Sequence, residues 1–141
     1  MIRRVLVAIV VLIGLGGGLL SYGFNAALAS GPHIALIDLD DAIHPSSARF
    51  VKRAILQAAD DKASVLIIRL NTPGGLLDST REIVEATLNS PIPIVVFVAP
   101  ESAHAASAGT FITAAAHIAA MAPVTSIGAA TPVDIGGEMP D

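Results

Sequence analysis

The chain has 141 residues, a formal net charge of −4 and a hydrophobic fraction of 53%. This size predicts one small domain. Its eight Lys and Arg residues are scattered along the sequence, and the lack of a basic stripe argues against nucleic acid as a partner. The absence of cysteine excludes disulfides, thiolate metal sites and a cysteine nucleophile.

The amino-terminal segment has the layout of an export signal. Residues 5–20 carry no charge, follow two arginines and precede Ala27-Leu28-Ala29, whose alanines are small residues of the kind found before a cleavage site. This order is typical of a secretory signal peptide, and an uncleaved membrane anchor is the alternative. Under both interpretations the rest of the chain is exported. We therefore expect a signal peptide or membrane anchor over residues 1–29 and one domain over residues 30–141.

Apolar periodicity after the leader predicts strands that alternate with helices. The predicted strands cover residues 33–39, 65–68 and 93–98, and the predicted helices cover residues 46–60 and 79–88. Ser46 or Ser47 is expected to cap the first helix, and Ser79 with Glu82 the second. The second and third strands are apolar at every position, which is typical of a parallel sheet covered by helices. The element order predicts an α/β fold with right-handed crossovers.

Three aspartates, Asp38, Asp40 and Asp41, cluster at the end of the first predicted strand. Carboxylates are ligands for hard metal ions. However, no further His or carboxylate follows at ligand spacing, so a solvated acidic turn is the favoured interpretation. We therefore expect no metal site here.

The second predicted strand runs into residues 71–75, with the sequence NTPGG. Pro73 keeps the preceding residue extended, whereas Gly74 and Gly75 permit positive φ and leave their N–H groups unshielded. Such N–H groups can bind an anion, and a plain strand-to-helix turn is the alternative. The segment lacks the Gly-Lys-Ser/Thr ending of a phosphate loop. Gly74 and Gly75 are therefore candidate hydrogen-bond donors of an anion site.

The segment HAASAG, residues 104–109, places Ser107 among residues too small to shield its hydroxyl. A helix is predicted to begin here and to continue through Ile118, so a helix cap is the alternative role for this serine. Ser107 and the Gly-Gly turn both follow the carboxyl ends of strands, where the sites of parallel sheets gather. They should therefore face one crevice. There, the N–H groups of Ala108 and of either Gly74 or Gly75 would form an oxyanion site.

A serine nucleophile needs a general base, and the sequence offers no convincing one. His117 lies further along the same predicted helix, roughly 15 Å from Ser107 at the rise of an α-helix. His104 is expected at the rim of the crevice. Lys52 and Lys62 belong to the first predicted helix and its end, away from the carboxyl ends of the strands.

Three segments, residues 71–75, residues 105–110 (AASAGT) and residues 127–133 (IGAATPV), resemble the membrane-bound serine proteases of the NfeD family. The catalytic domain of that family is Clp-protease-like, and its Pro-Gly-Gly turn is shared with the wider crotonase-like superfamily. The resemblance runs from about residue 34 to the last residue. It implies a Clp-protease/crotonase-like α/β fold that is incomplete at the C-terminus.

The resemblance also implies roles for individual residues. Ser107 is the nucleophile, and Gly74, Gly75 and Ala108 offer the oxyanion donors, with Gly74 preferred of the two glycines. The family uses a Ser-Lys dyad whose lysine lies on a later helix, beyond Asp141. The sequence is therefore expected to be an N-terminal fragment that is inactive alone, without the membrane spans and small β-barrel domain of long family members.

The function implied by the resemblance is that of an exported, membrane-associated serine endopeptidase that cleaves apolar peptide segments by acyl transfer without a cofactor. A peptide or membrane-protein substrate is expected, with a stomatin-like protein as a candidate, together with homo-oligomeric assembly. One alternative is a non-catalytic oligomeric scaffold that binds peptides. The other is a crotonase-like acyl-CoA enzyme, which the export signal and the serine disfavour.

Overall fold

The computed structural model describes residues 32–131, and the expected leader at residues 1–29 lies outside this range. Within it, no helix is long and apolar enough to cross a membrane. The elements follow the chain in this order: β1 Ile34–Asp40, α1 Pro45–Asp60, β2 Val65–Asn71, α2 Leu77–Leu88, β3 Ile94–Val98, β4 His104–Ala106, α3 Ala108–Ala114, β5 Ile118–Met121 and β6 Ser126–Gly128.

Four strands form one parallel sheet in the order β1-β2-β3-β5. Their register places Leu36 beside Ile67, Ile67 beside Val95, and Val95 beside Ile118. The remaining strands, β4 and β6, pair with each other in a second, two-stranded parallel sheet. The predicted α/β architecture with a parallel sheet is confirmed.

The hydrophobic core lies between the three helices and one face of the larger sheet. Alternate residues of the central strands are fully buried on that face, and the helices contribute Val51, Ile55, Ile83 and Ile112. The opposite face is more open, since Leu36 is 57% exposed and Ile118 is 58% exposed. Within residues 32–131, helices therefore cover one face of the sheet. The apolar strands had predicted helices on both faces.

The first helix begins at Pro45, one residue before Ser46, the first of the two expected starts. Pro45 occupies its first turn and His44 is the cap, because the His44 ring accepts from the N–H of Ser47. The Ser47 hydroxyl in turn accepts from the N–H of His44 at 2.8 Å. The predicted serine cap is therefore wrong. Pro45, whose fixed φ suits the first helical position, sets the start, and Ser47 completes a reciprocal capping box.

The second helix begins directly after Leu76, whose side chain makes no capping hydrogen bond. Leu76 stays extended because its N–H donates to the carbonyl of Ile43 at 2.8 Å. Ser79 consequently lies inside the first turn and is buried. The predicted Ser79–Glu82 capping box is wrong, and Glu82 instead forms an ion pair with Lys52 at 3.1 Å.

The helix predicted to run from Ser107 through Ile118 is shorter in the structure. It ends at Ala114, and Ile118–Met121 forms β5 at the edge of the sheet beside β3. The N–H of His117 donates to the carbonyl of Ile94 at 3.1 Å, which guides the chain into this strand. Alanine-rich sequence suits a helix, but pairing with a neighbouring strand overrides such local preference.

Candidate active site

The carboxyl end of β2 is bonded directly to β4, the strand that leads to Ser107. The N–H of Thr72 donates to the carbonyl of His104 at 2.7 Å, and the N–H of Ala106 donates to the carbonyl of Thr72 at 3.1 Å. On its other side β4 pairs with β6. The position of Ser107 is therefore set from both sides by backbone hydrogen bonds.

Ser107 occupies a sharp turn between β4 and α3. Its φ of 48° and ψ of −108° lie outside the regions that non-glycine residues favour, a strain that is found preferentially at functional sites. The N–H of Ser107 donates to the carbonyl of Gly128 at 2.8 Å, which helps to hold this conformation. In α/β-hydrolases, a strained serine between a strand and a helix is the arrangement that exposes the nucleophile.

The hydroxyl of Ser107 does not cap the helix that it precedes. Ser107 stands at the capping position of α3, but its side chain makes no capping hydrogen bond. Among residues 32–131, no side chain makes a hydrogen bond with this hydroxyl, although the residue is half-buried. The alternative role as a helix cap is therefore wrong, and the oxygen is available for chemistry.

The Gly-Gly turn lies directly beside Ser107, as predicted from the order of the strands. A β-carbon added to Gly74 would lie 2.8 Å from Ser107 Cβ and 3.3 Å from Ser107 Oγ. At Gly75, an added β-carbon would overlap the backbone of Ile43. Both positions also have positive φ, +118° at Gly74 and +157° at Gly75. Glycine is therefore required at each position by space as well as by conformation.

The backbone N–H groups around Ser107 differ in whether they already have a hydrogen-bond acceptor. The N–H of Gly74 donates to Thr72 Oγ1 at 3.2 Å. The N–H of Gly75 has no acceptor in the described part of the chain. Gly75 forms a parallel bridge with Ile43, whose hydrogen bonds go to Gly74 and Leu76 on either side, and in parallel pairing the residue between them directs its own N–H to the other side. Ala108 is the first residue of α3, so its N–H has no intrahelical acceptor. As an oxyanion donor, Gly75 is therefore favoured by the geometry. The resemblance had favoured Gly74.

Three of the four candidate bases have partners other than the Ser107 hydroxyl. His104 Nδ1 lies 2.7 Å from Ser126 Oγ, and His117 Nδ1 accepts from the N–H of Ile94 at 3.2 Å. Lys52 pairs with Glu82 across α1 and α2. Within residues 32–131, no histidine or lysine forms a hydrogen bond with the Ser107 hydroxyl.

The three aspartates near the end of β1 have separate partners. Asp38 forms a bidentate ion pair with Arg69 and raises the pKa of that guanidinium. Asp40 accepts from the side-chain amide of Asn71 at 2.9 Å. A hydrogen bond from the N–H of Ala42 lowers the pKa of the Asp41 carboxyl, and the ring of His44 lowers it further. Among residues 32–131, no group of three or more potential ligands is suited to a metal ion.

Two residues at this edge were not singled out from the sequence. Asn71 Oδ1 accepts from the N–H of His104 at 2.9 Å, so Asn71 ties β4 to the end of β1 through Asp40. Thr72 makes the side-chain hydrogen bond to the turn described above. Both residues could have been singled out from the sequence, because short polar side chains just before a turn such as Pro-Gly-Gly commonly form hydrogen bonds with nearby backbone groups.

The parallel sheet and the helices packed on it form a Clp-protease-like fold. ClpP1 of Listeria monocytogenes shares the fold over 67% of this chain, with a TM-score of 0.57 and 22% identity. The chain belongs to the NfeD1b N-terminal domain family, whose family model matches residues 25–141.

Two relatives are named as membrane proteins. The chain is 37% identical over 131 residues to the membrane-bound protease PH1510 of Pyrococcus horikoshii and 32% identical over 115 residues to the membrane protein NfeD1b of Bacillus subtilis. These matches cover 93% and 82% of this chain. They cover 28% and 26% of the relatives, so the chain spans less than a third of their length.

A solved structure agrees with this family membership. A lysine-to-alanine variant of the 1510-N membrane-bound stomatin-specific protease, in complex with a substrate peptide, matches with a TM-score of 0.72 and 38% identity. The match covers 74% of this chain and 48% of that one.

Proposed function

We propose that this domain belongs to a membrane-associated serine endopeptidase in which Ser107 is the nucleophile. The observation that carries the proposal is the strained Ser107, whose hydroxyl has no partner within residues 32–131 and faces Gly74. The relative PH1510, named a membrane-bound protease, supports the same activity. We place the domain on the exported side of the membrane because of the signal-like leader.

The reaction is an acyl transfer in two steps. Ser107 Oγ attacks the carbonyl carbon of the scissile peptide bond and gives its proton to a base, while the carbonyl oxygen becomes an oxyanion. The N–H groups of Gly75 and Ala108 stabilise this charge, each contributing about 3 kcal/mol where such donors have been removed in other enzymes. The amine then leaves with the proton, and water hydrolyses the serine ester to release the acid.

The base in this proposal is a lysine that lies beyond the end of the present sequence. A Ser-Lys dyad is implied by the resemblance, and solved 1510-N structures include a serine-to-alanine and a lysine-to-alanine variant. A lysine acts as a base only when neutral, and apolar surroundings favour the neutral form.

The substrate in this proposal is an extended, apolar peptide segment. Leu76 and Leu77, which directly follow the Gly-Gly turn, are both exposed and offer an apolar surface beside it. Nearby, a groove of about 460 Å³ between α2 and α3 is lined mainly by apolar side chains, including Leu77, Val84 and Phe111. Since 1510-N is named a stomatin-specific protease, a stomatin-like membrane protein is the candidate substrate, and we expect a homo-oligomeric enzyme.

Labelling of the complete gene product with a fluorophosphonate tests the nucleophile. We expect the label on Ser107 and its loss in Ser107→Ala, together with the cleavage of an apolar peptide. Ser64→Ala is the matched control, because Ser64 is exposed at the opposite end of β2. Equal labelling of the parent and Ser107→Ala would refute the assignment. Peptide binding without any cleavage would instead favour a non-catalytic peptide-binding module.

A further inference from the structure

Thr72 connects the two halves of the candidate site. It is 1% exposed, and its backbone is hydrogen-bonded to both His104 and Ala106 of β4. Two residues later the chain reaches Gly74, which faces Ser107. A change at Thr72 is therefore transmitted both to the turn and to the strand that carries the serine.

The hydroxyl of Thr72 is bonded to both backbone groups of Gly74. Thr72 Oγ1 accepts from the N–H of Gly74 at 3.2 Å and lies 3.2 Å from the Gly74 carbonyl, to which it can donate. A hydroxyl carries one proton and two lone pairs, so the two bonds are compatible. With the N–H of Gly74 held inside the turn, the N–H of Gly75 is the one left without an acceptor in the described residues.

The methyl group of Thr72 lies on the α3 side of the side chain. It packs against Gly109 so closely that a β-carbon added there would lie 2.7 Å from Thr72 Cγ2. Gly109 is in the first turn of α3, directly after Ala108. The same side chain therefore spans the distance between the Gly-Gly turn and the start of the helix.

We propose that Thr72 is a positioning residue, whose hydroxyl orients the turn so that the N–H of Gly75 faces the oxyanion site beside Ala108. The inference rests on the proposed function and adds a residue that touches neither substrate nor reacting atoms. Its effect is exerted in the transition state, where the oxyanion forms, and not in the binding of the peptide. A loss of the hydroxyl should therefore lower kcat more than it raises KM.

The test compares three variants of the complete gene product. Thr72→Val keeps the branched shape without the hydroxyl, and should lower kcat about 10- to 100-fold while KM changes by less than about threefold. Thr72→Ser keeps the hydroxyl, and should retain more than about a third of the wild-type kcat. Thr87→Val is the matched control, because Thr87 is equally buried and donates its hydroxyl within α2 to the carbonyl of Ile83. It should leave kcat within about threefold.

Amide hydrogen exchange at Gly74 provides a readout that does not depend on cleavage. We expect faster exchange in Thr72→Val and unchanged exchange in Thr72→Ser, because only valine removes the acceptor. The inference is overturned by an unchanged kcat in Thr72→Val, by equal losses in Thr72→Val and Thr72→Ser, or by an equal loss in Thr87→Val. An unsubstituted protein without Ser107-dependent cleavage would instead overturn the proposed function, and the inference with it.

Discussion

Gly74 lies so close to Ser107 that there is no room for a side chain between them. A β-carbon on Gly74 would stand 2.8 Å from Ser107 Cβ, well inside van der Waals contact. Because Ser107 is itself held by the hydrogen bond from its N–H to the carbonyl of Gly128, the serine is not free to withdraw without breaking its strained turn.

Gly74→Ala should therefore reduce Ser107-dependent cleavage by about 100-fold, since even a small displacement of the nucleophile has such an effect. Backbone strain at the positive φ of Gly74 should also cost about 1–3 kcal/mol of stability. Ser64→Ala, at an exposed position just before β2 and remote from Ser107, is the control and should keep wild-type cleavage. Kinetic assays with melting curves separate the loss of cleavage from the loss of stability, and unchanged cleavage in Gly74→Ala would contradict the steric explanation.

Gly109→Ala should destabilise the domain through a clash with Thr72. The added methyl group would lie 2.7 Å from Thr72 Cγ2 and 3.2 Å from Ala105 Cβ. Overpacking of this kind costs about 1–3 kcal/mol, more than the roughly 1 kcal/mol that alanine gains over glycine in a helix.

A double-mutant cycle with Thr72→Ser checks this prediction by denaturant unfolding. Serine lacks the Cγ2 methyl group, so the destabilisation by Gly109→Ala should shrink in its presence, as expected for residues in contact. Additive free energies of unfolding would show that the two groups do not compete for the same space.

The sequence contained enough to predict the convergence of Gly74 and Ser107. The apolar strands before them, β2 and β3, indicated a parallel sheet, and the carboxyl ends of parallel strands share one edge. The conformation of the site was not accessible in this way. The N–H of Ser107, a residue of positive φ, donates to the carbonyl of Gly128, and the N–H of Gly74 donates to the hydroxyl of Thr72. The bond to Gly128 joins residues that are distant in sequence, and the choice of Thr72 as acceptor depends on the folded turn.

The predicted boundaries of helices and strands were wrong where contacts between residues distant in sequence determine them. The segment Ile118–Met121 has the sequence IAAM, which continues the helical pattern of α3 but pairs with β3 in the structure. Ser79 matches the residue type of a helix cap, yet the bond between Leu76 and Ile43 starts the helix two residues earlier. In both cases a partner remote in sequence overrides the local signal.

His44→Ala should destabilise the domain by about 1 kcal/mol, the usual value of a capping side chain. The ring of His44 accepts from the N–H of Ser47 at the start of α1. His44→Asn should recover most of the loss, because asparagine is also a good cap. Thermal unfolding of both variants checks the prediction, and equal melting temperatures for His44→Ala and the wild type would show that the cap contributes nothing.

His104→Ala should leave cleavage nearly intact, although His104 is the histidine nearest to Ser107 in the sequence. Its ring is bonded to Ser126 on β6 and not to the serine hydroxyl, and it lies at an exposed position. We expect kcat/KM to change by less than about threefold, as for surface substitutions in general. His33→Ala is the matched control, since His33 lies before β1 at the opposite edge of the sheet. Loss of cleavage as complete as in Ser107→Ala, with a normal melting temperature, would make His104 the base and remove the need for a lysine.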